Sequence, residues 1–130
     1  MKLMGIRATA DGRAEGVVVN VGTSILAGLQ EQIGCGPVDV VRLPNQIEAW
    51  VDDNGAYVAE VNPVATVAAV VLGRSHTADP LYGSVLFLSA DRAGDVRSLS
   101  PDQYKAVLAA FEHARAALDR AEALSAALHQ

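Results

Sequence analysis

The sequence predicts an α+β fold, with a mostly antiparallel sheet of about five or six strands, two short helices and a long C-terminal helix. Short runs of β-branched and aromatic residues, bounded by Gly, Pro, Asn or Asp, are typical of strands. Two short apolar stretches follow residues that cap helices. The last stretch follows a capping box and contains neither Gly nor Pro after Pro101, which predicts the long helix.

The first 99 residues are predicted to form one α+β domain, and residues 100–130 the C-terminal helix. The domain should begin with a hairpin whose strands cover residues 2–9 and 15–21. Asp11-Gly12 lies between these strands and is a turn signal. The apolar run over residues 83–89 predicts a further strand in the interior of the sheet, followed by a polar connector.

The two short helices are predicted from their ends. Thr23 or Ser24 can cap the first helix, and Gly34 suits the left-handed conformation that ends one. Asn62-Pro63 is typical of the start of the second helix. The apolar stretch that follows is rich in β-branched residues, so a strand remains the alternative there.

Residues 38–61 are predicted to form a meander of three strands. The loop Pro44-Asn45-Gln46 joins the first two strands, and Asn54-Gly55 is a strong signal for a second hairpin turn. These turns place Val40 opposite Trp50, Arg42 opposite Glu48, and Asp52 opposite Tyr57.

One face of this meander carries charged and aromatic residues among apolar ones, and these residues are the most site-like group in the chain. They are Arg42, Glu48, Trp50, Asp52 and Tyr57. A face of this composition suits a small ligand or a protein partner. The alternative is an Arg42–Glu48 ion pair beside a Trp50 that packs under a helix. We expect this face to be covered by the long last helix or by a partner.

The last helix is predicted from Ser100-Pro101-Asp102-Gln103, a capping box with proline at the first helical position. It would be roughly 40 Å long, which is longer than the domain beneath it needs. We expect it to pack partly on its own domain and partly on a second copy of the chain, the alternative being a helix wholly across its own sheet. The candidate interface residues repeat at heptad spacing: Tyr104, Val107, Phe111, Ala114, Leu118, Ala121 and Leu128.

Composition excludes several classes of function. The formal net charge is −5 and only ten residues are Lys or Arg, so nucleic-acid binding is disfavoured. The single cysteine, Cys35, cannot form an internal disulfide. The longest apolar run is too short to span a membrane. We therefore expect a cytoplasmic protein without membrane or nucleic-acid partners.

No catalytic, metal or phosphate-binding motif is present, so we expect no cofactor and lean against an enzyme. His76 lies in a loop and has no nucleophile at a suitable spacing. The enzyme alternative is a small hydrolase that uses His76 with Asp79 or Tyr82. A second alternative is a protein that binds a nucleotide or another anionic metabolite through Arg42 and Trp50, together with Arg74 or His76.

Residues 25–89 resemble a small family of bacterial and phage proteins that is known only as a domain of unknown function. The resemblance rests on a helix with LAGLQEQIG, a strand with VDVVRLP, the segment IEAWVDDNG, the helix start VNPVAT and the strand YGSVLFL, in this order. It supports the predicted fold, including a short helix after Asn62. No catalytic residues are established for that family, so the resemblance implies none here.

These observations predict a non-enzymatic binding or protein-interaction module. The resemblance implies that the chain is encoded by a mobile element. From the residues themselves, we expect a homodimer that acts on a host or partner protein. The absent catalytic motifs, the two-sided apolar sheet and the long last helix carry this expectation.

Overall fold

The fold is arranged around β5, the central strand of a six-stranded sheet. A computed structural model describes residues 1–22 and 24–129 of the chain. Its strands are β1 (Lys2–Ala8), β2 (Ala14–Asn20), β3 (Val38–Arg42), β4 (Ile47–Asp52), β5 (Val85–Ala90) and β6 (Val96–Arg97). Its helices are α1 (Ile25–Ile33), α2 (Gly55–Val58), α3 (Pro63–Val71) and α4 (Pro101–Leu128).

The sheet joins two hairpins through β5. Its strand order is β2-β1-β5-β4-β3, and the short strand β6 pairs with the end of β5. Every pairing is antiparallel. The predicted α+β fold with a long C-terminal helix is confirmed.

Helices cover both faces of the sheet, which explains why β5 is apolar on both sides. Phe87 faces α3 and α4, and its ring meets that of Phe111 edge-on at 5.5 Å. Leu86 and Leu88 face the opposite side, where they pack with Leu29 and Ile33 of α1. The meander face with Arg42, Glu48 and Trp50 is therefore the α1 side, and the expectation that the last helix covers it is wrong.

Helix α1 lies close to the sheet because of a glycine. A Cβ on Gly28 would come within 2.6 Å of the Asn20 carbonyl oxygen, so only glycine permits this approach. The Ser24 side chain caps α1 by accepting from Ala27 N, and Gly34 ends it with φ 78°. Thr23, the other predicted cap, lies outside the described residues.

Helix α3 is capped by Asn62, whose side chain is fully buried. Its Oδ1 accepts from Ala65 N at 3.0 Å, and its Nδ2 donates to the carbonyls of Ala8 and Gly83 at 3.2 and 2.9 Å. One side chain thus caps the helix and ties it to β1 and to the start of the β5 segment. The helix prediction is confirmed here, and the strand alternative is wrong.

The predicted hairpin at Asn54-Gly55 is wrong, because residues 55–58 form the single turn α2. Strand β4 already has β3 on one edge and β5 on the other, so no edge remains for a third meander strand. Asp52 consequently pairs with Val38 and not with Tyr57. Tyr57 instead projects from α2 and is 88% exposed.

The capping box of α4 is present as predicted. Ser100 Oγ accepts from Gln103 N at 3.1 Å, and Gln103 Oε1 accepts from Ser100 N at 2.8 Å. The first part of α4 packs against α3 and β1. The connector before α4 contains β6. A strand of two residues leaves no recognisable pattern in the sequence, so β6 was not predicted.

The predicted interface residues of α4 divide into two groups. Val107, Phe111 and Ala114 are buried in the core of their own domain, so their assignment to an interface with a second copy is wrong. Tyr104 and Leu118 are partly buried against the same core. Ala121 and Leu128 are exposed, and so is every residue from 119 to 129. The alternative of a helix wholly across its own sheet is therefore wrong as well.

No helix within residues 1–22 and 24–129 is both long and apolar enough to cross a membrane.

Candidate functional site

The residues predicted to form one site lie in three places. Arg42 and Glu48 line a small cavity on the α1 side of the sheet, and Trp50 lies beside Glu48 on β4. Asp52 and Arg74 line a larger cleft elsewhere. The remaining two, Tyr57 and His76, are exposed outside both.

The small cavity, here called the Glu48 cavity, measures about 200 Å³. It lies where the β3–β4 connection meets the β5–β6 connection, because β4 begins beside the end of β5. Its lining residues are Arg42, Leu43, Gln46, Ile47, Glu48, Ala90, Asp91, Arg92 and Gly94.

Glu48 is the unusual side chain of this cavity. It is only 6% exposed, and its Oε1 has no hydrogen-bond partner among the described residues. Arg42 Nε is 3.5 Å from Oε2, which is longer than a good hydrogen bond, and the Arg42 side chain is 78% exposed. The protein therefore compensates this buried carboxylate only in part.

Burial raises the pKa of Glu48 above its ordinary value. The Arg42 guanidinium and then the Trp50 indole N–H act in the opposite direction but do not cancel this effect. Trp50 Nε1 is buried on the same face of β4 and lies near Glu48, but it makes no geometrically good hydrogen bond to any described residue. Trp50 packs beneath α1, as the alternative interpretation of this residue predicts.

One wall of the Glu48 cavity is a strained turn. Asn45 and Gln46 both have positive φ values, 62° and 60°, which side-chain-bearing residues rarely adopt. Ser89 Oγ donates to the Gln46 carbonyl at 3.2 Å, and Gln103 Nε2 donates to the Asn45 carbonyl at 2.9 Å. These contacts from β5 and α4 hold the turn in this conformation.

The other wall is the β5–β6 connection, which is organised by Asp91. Its Oδ1 accepts from Ala93 N and Asp95 N, both at 2.9 Å, and its Oδ2 is 2.9 Å from Arg97 Nη2. Since its carboxylate is used in this way, Asp91 stiffens the wall. Arg92 next to it is exposed at the rim.

The larger cavity, here called the Arg74 cleft, measures about 480 Å³. Arg74 donates to the Asp79 carbonyl across it. Four carboxylates and one guanidinium line this cleft, so its charge disfavours an anion. Its lining residues are Asp39, Val41, Val51, Asp52, Asp53, Ala56, Arg74, Asp79, Pro80, Leu81 and Tyr82. Within residues 1–22 and 24–129, no three or more His, Cys, Asp or Glu are grouped to hold a metal ion.

No serine, threonine or cysteine side chain is hydrogen-bonded to a histidine in the described part of the chain. The one histidine side-chain hydrogen bond there joins His129 Nδ1 to the Ser125 carbonyl at 2.7 Å. Burial raises the pKa of the Cys35 thiol, and the Asp52 carboxylate adds to this effect. The thiolate that a reactive cysteine needs is therefore disfavoured.

The free segment, residues 119–129, is the third candidate surface. It extends α4 by about 16 Å beyond the last residue that contacts the domain. Leu124 and Leu128 on it are 62% and 74% exposed. Together with Ala117 and Ala121 they continue, at heptad spacing, the stripe whose first members are buried in the core: Val107, Ala110 and Ala114.

The fold defines a small α+β domain with an antiparallel sheet between helices. Residues 6–112 match the family described as a domain of unknown function (DUF3846), so the chain belongs to that family. No curated protein and no solved structure matches the chain.

The family match is wider than the resemblance over residues 25–89. It includes most of the first hairpin and the start of α4, up to residue 112. Residue 112 lies between Phe111 and Ala114, the last buried positions of α4. The match therefore covers the packed domain and ends before the free segment.

Sequence reasoning missed half of the Glu48 cavity. Asp91, Arg92 and Gly94 belong to a segment predicted only as a polar connector. The spacing of Asp91 and Gly94 is a turn signal that could have suggested a rigid loop. Nothing local indicates that this loop meets Glu48, because they are about 45 positions apart in the sequence.

Proposed function

We propose that this chain is a non-enzymatic protein-interaction module that pairs with a second copy of itself through the free segment of α4. The observation that carries the proposal is the uncovered apolar stripe with Leu124 and Leu128. The buried half of the same helix uses the same stripe to pack on its own domain. A stripe that continues at heptad spacing beyond the domain is suited to another helix.

The sizes of the side chains favour a second copy over an unrelated partner. In an antiparallel two-fold pair, heptad positions of one type face those of the other type across the axis. Leu124 would then face Ala121 of the second copy, and Leu128 would face Ala117. Each layer combines a large residue with a small one, which fills space at a close helix approach.

The association should be weak and dependent on concentration. Two segments of this length bury less surface than the roughly 1,200–2,000 Å² of a stable interface. Size-exclusion chromatography with light scattering, between about 10 and about 300 µM, should show the mass rising from monomer towards dimer. A constant monomer mass throughout this range contradicts the proposal.

A pair of matched variants tests the surface itself. Leu124→Glu with Leu128→Glu places charges on the stripe, and we expect a monomer with unchanged thermal stability. Ala123→Glu with Ala126→Glu adds the same charge on other sides of the same exposed segment, and we expect it to associate like the wild type. Equal association of both variants means that the interface lies elsewhere.

Small-ligand binding is the second candidate function, and the partly compensated Glu48 in a preformed cavity favours it.

For either function we retain a cytoplasmic location and an origin on a bacterial mobile element. The absence of paired cysteines supports the first expectation, and the resemblance of residues 25–89 supports the second.

A further inference from the structure

We propose that the Glu48 cavity binds a small zwitterion that has a guanidinium or ammonium group at one end and a carboxylate at the other. The cation would meet Glu48 inside the cavity, and the carboxylate would meet Arg92 and Arg42 at its rim. This site is independent of association through α4.

The free acceptor capacity of Glu48 is the first reason. A carboxylate offers about four acceptor positions, whereas in the described part of the chain the donors near this one are Arg42 and the Trp50 indole. The Arg42 contact is long, and its side chain is mostly in solvent. Oε1 is closed to solvent, so a ligand cation would meet the carboxylate at Oε2, where it would displace only the long Arg42 contact and would supply a stronger, charge-assisted hydrogen bond.

The shape of the cavity is the second reason. A volume of about 200 Å³ corresponds to six or seven water molecules at about 30 Å³ each, which is the size of a free amino acid. Both walls are fixed by hydrogen bonds, one through Gln46 and the other through Asp91. The site thus requires little ordering when a ligand binds.

The charges at the rim give the third reason. Arg42 and Arg92 both line the cavity and both reach solvent. Asp91, the other carboxylate of the lining, is occupied by Arg97 and by two backbone N–H groups. The rim is therefore cationic and the interior anionic, which favours a ligand with the opposite arrangement.

The single tryptophan provides a direct measurement. Trp50 is the only tryptophan of the chain, so its indole N–H gives one cross-peak in an NMR spectrum. Three probes separate the two ends of the ligand: L-arginine has both groups, agmatine lacks the carboxylate, and glutarate lacks the cation. We expect L-arginine to shift the peak with the highest affinity, agmatine to bind at least about tenfold more weakly, and glutarate not to bind.

Two variants test the two ends. Glu48→Gln keeps the shape of the side chain and should lower the affinity for both cations at least about tenfold. Arg92→Ala changes an exposed residue and should reduce only the affinity for L-arginine, to the level of agmatine. Glu60→Gln removes an exposed carboxylate outside the cavity and should bind like the wild type.

The proposal is overturned if no probe moves the Trp50 peak at about 10 mM, a concentration that detects even very weak binding. It is also overturned if Glu48→Gln, with its fold verified by circular dichroism, binds L-arginine like the wild type. Equal binding of glutarate and L-arginine would show that the rim arginines attract any anion and that Glu48 plays no part.

Discussion

Two buried polar side chains, Asn62 and Glu48, are treated in opposite ways by this fold. Asn62 is fully buried, and both ends of its amide make hydrogen bonds. The Glu48 side chain is only 6% exposed, yet among the described residues one of its oxygens has no hydrogen-bond partner and the other has only a long contact. A buried polar group that makes all its hydrogen bonds, such as Asn62, is explained by its contribution to the stability of the fold. Glu48 lacks such hydrogen bonds, so its burial requires another explanation, and its position in the lining of a cavity suggests ligand binding.

The largest effect that tests this comparison is expected at Asn62. Asn62→Ala removes one hydrogen bond to a helix N–H and two to backbone carbonyls, and we expect a loss of about 3 kcal/mol in the free energy of unfolding. Chemical denaturation measures it. Asn54→Ala is the matched control, because Asn54 also precedes a helix but its side chain makes no capping hydrogen bond. We expect the control to change stability by less than about 0.5 kcal/mol, and an equal loss in both variants would refute the role given to Asn62.

Glu48→Gln should have a smaller effect of the opposite sign. The pKa of Glu48 is raised, so the folded state holds its proton more tightly than the unfolded state does. This contribution to stability is complete below the ordinary pKa of a glutamate and is lost as pH rises through the raised value. At neutral pH we therefore expect Glu48→Gln to be more stable than the wild type, by an amount of the order of 1 kcal/mol.

The same variant should lose its advantage in acid. Thermal unfolding of both proteins between about pH 4 and about pH 8 gives the difference directly, and the difference should shrink as pH falls. A difference that does not depend on pH would mean that ionisation of Glu48 has no part in it.

Arg42→Ala should have the smallest effect on stability. The Arg42 side of the Arg42–Glu48 ion pair is mostly exposed, so we expect the free energy of unfolding to fall by less than about 1 kcal/mol. Because Arg42 lowers the pKa of Glu48, its removal should move that pKa further upward. The pH midpoint of the Trp50 indole shift measures this change, and a midpoint that stays in place would show that Arg42 does not act on Glu48.

The features predicted correctly from sequence are those set by neighbouring residues. Ser100 with Gln103, and Asn62 with Pro63, determine helix starts through contacts within one turn. Asn54-Gly55 is an equally strong local signal for a hairpin turn. Whether a hairpin forms there, however, depends on which strand pairs with the second edge of β4. That strand is β5, which follows about thirty residues later and leaves no room for the predicted hairpin.

The candidate sites could be predicted only in part for the same reason. Arg42 and Glu48 were paired correctly, since a tight loop joins their strands. The second wall of the cavity comes from the β5–β6 connection, and nothing near Glu48 in sequence indicates it. On α4, the heptad spacing of apolar residues is visible in the sequence. The sequence does not show that Leu118 is the last of them to contact the domain, because this depends on where the domain ends beneath the helix.

The central position of β5 has a consequence for the order of folding. Both flanking hairpins pair residues close in sequence, whereas β1 meets β5 across about eighty residues. During synthesis the hairpins can form early, but their inner edges stay open until β5 leaves the ribosome. Closure of the sheet therefore comes late, and we expect a slow folding step in which β5 enters between two preformed hairpins.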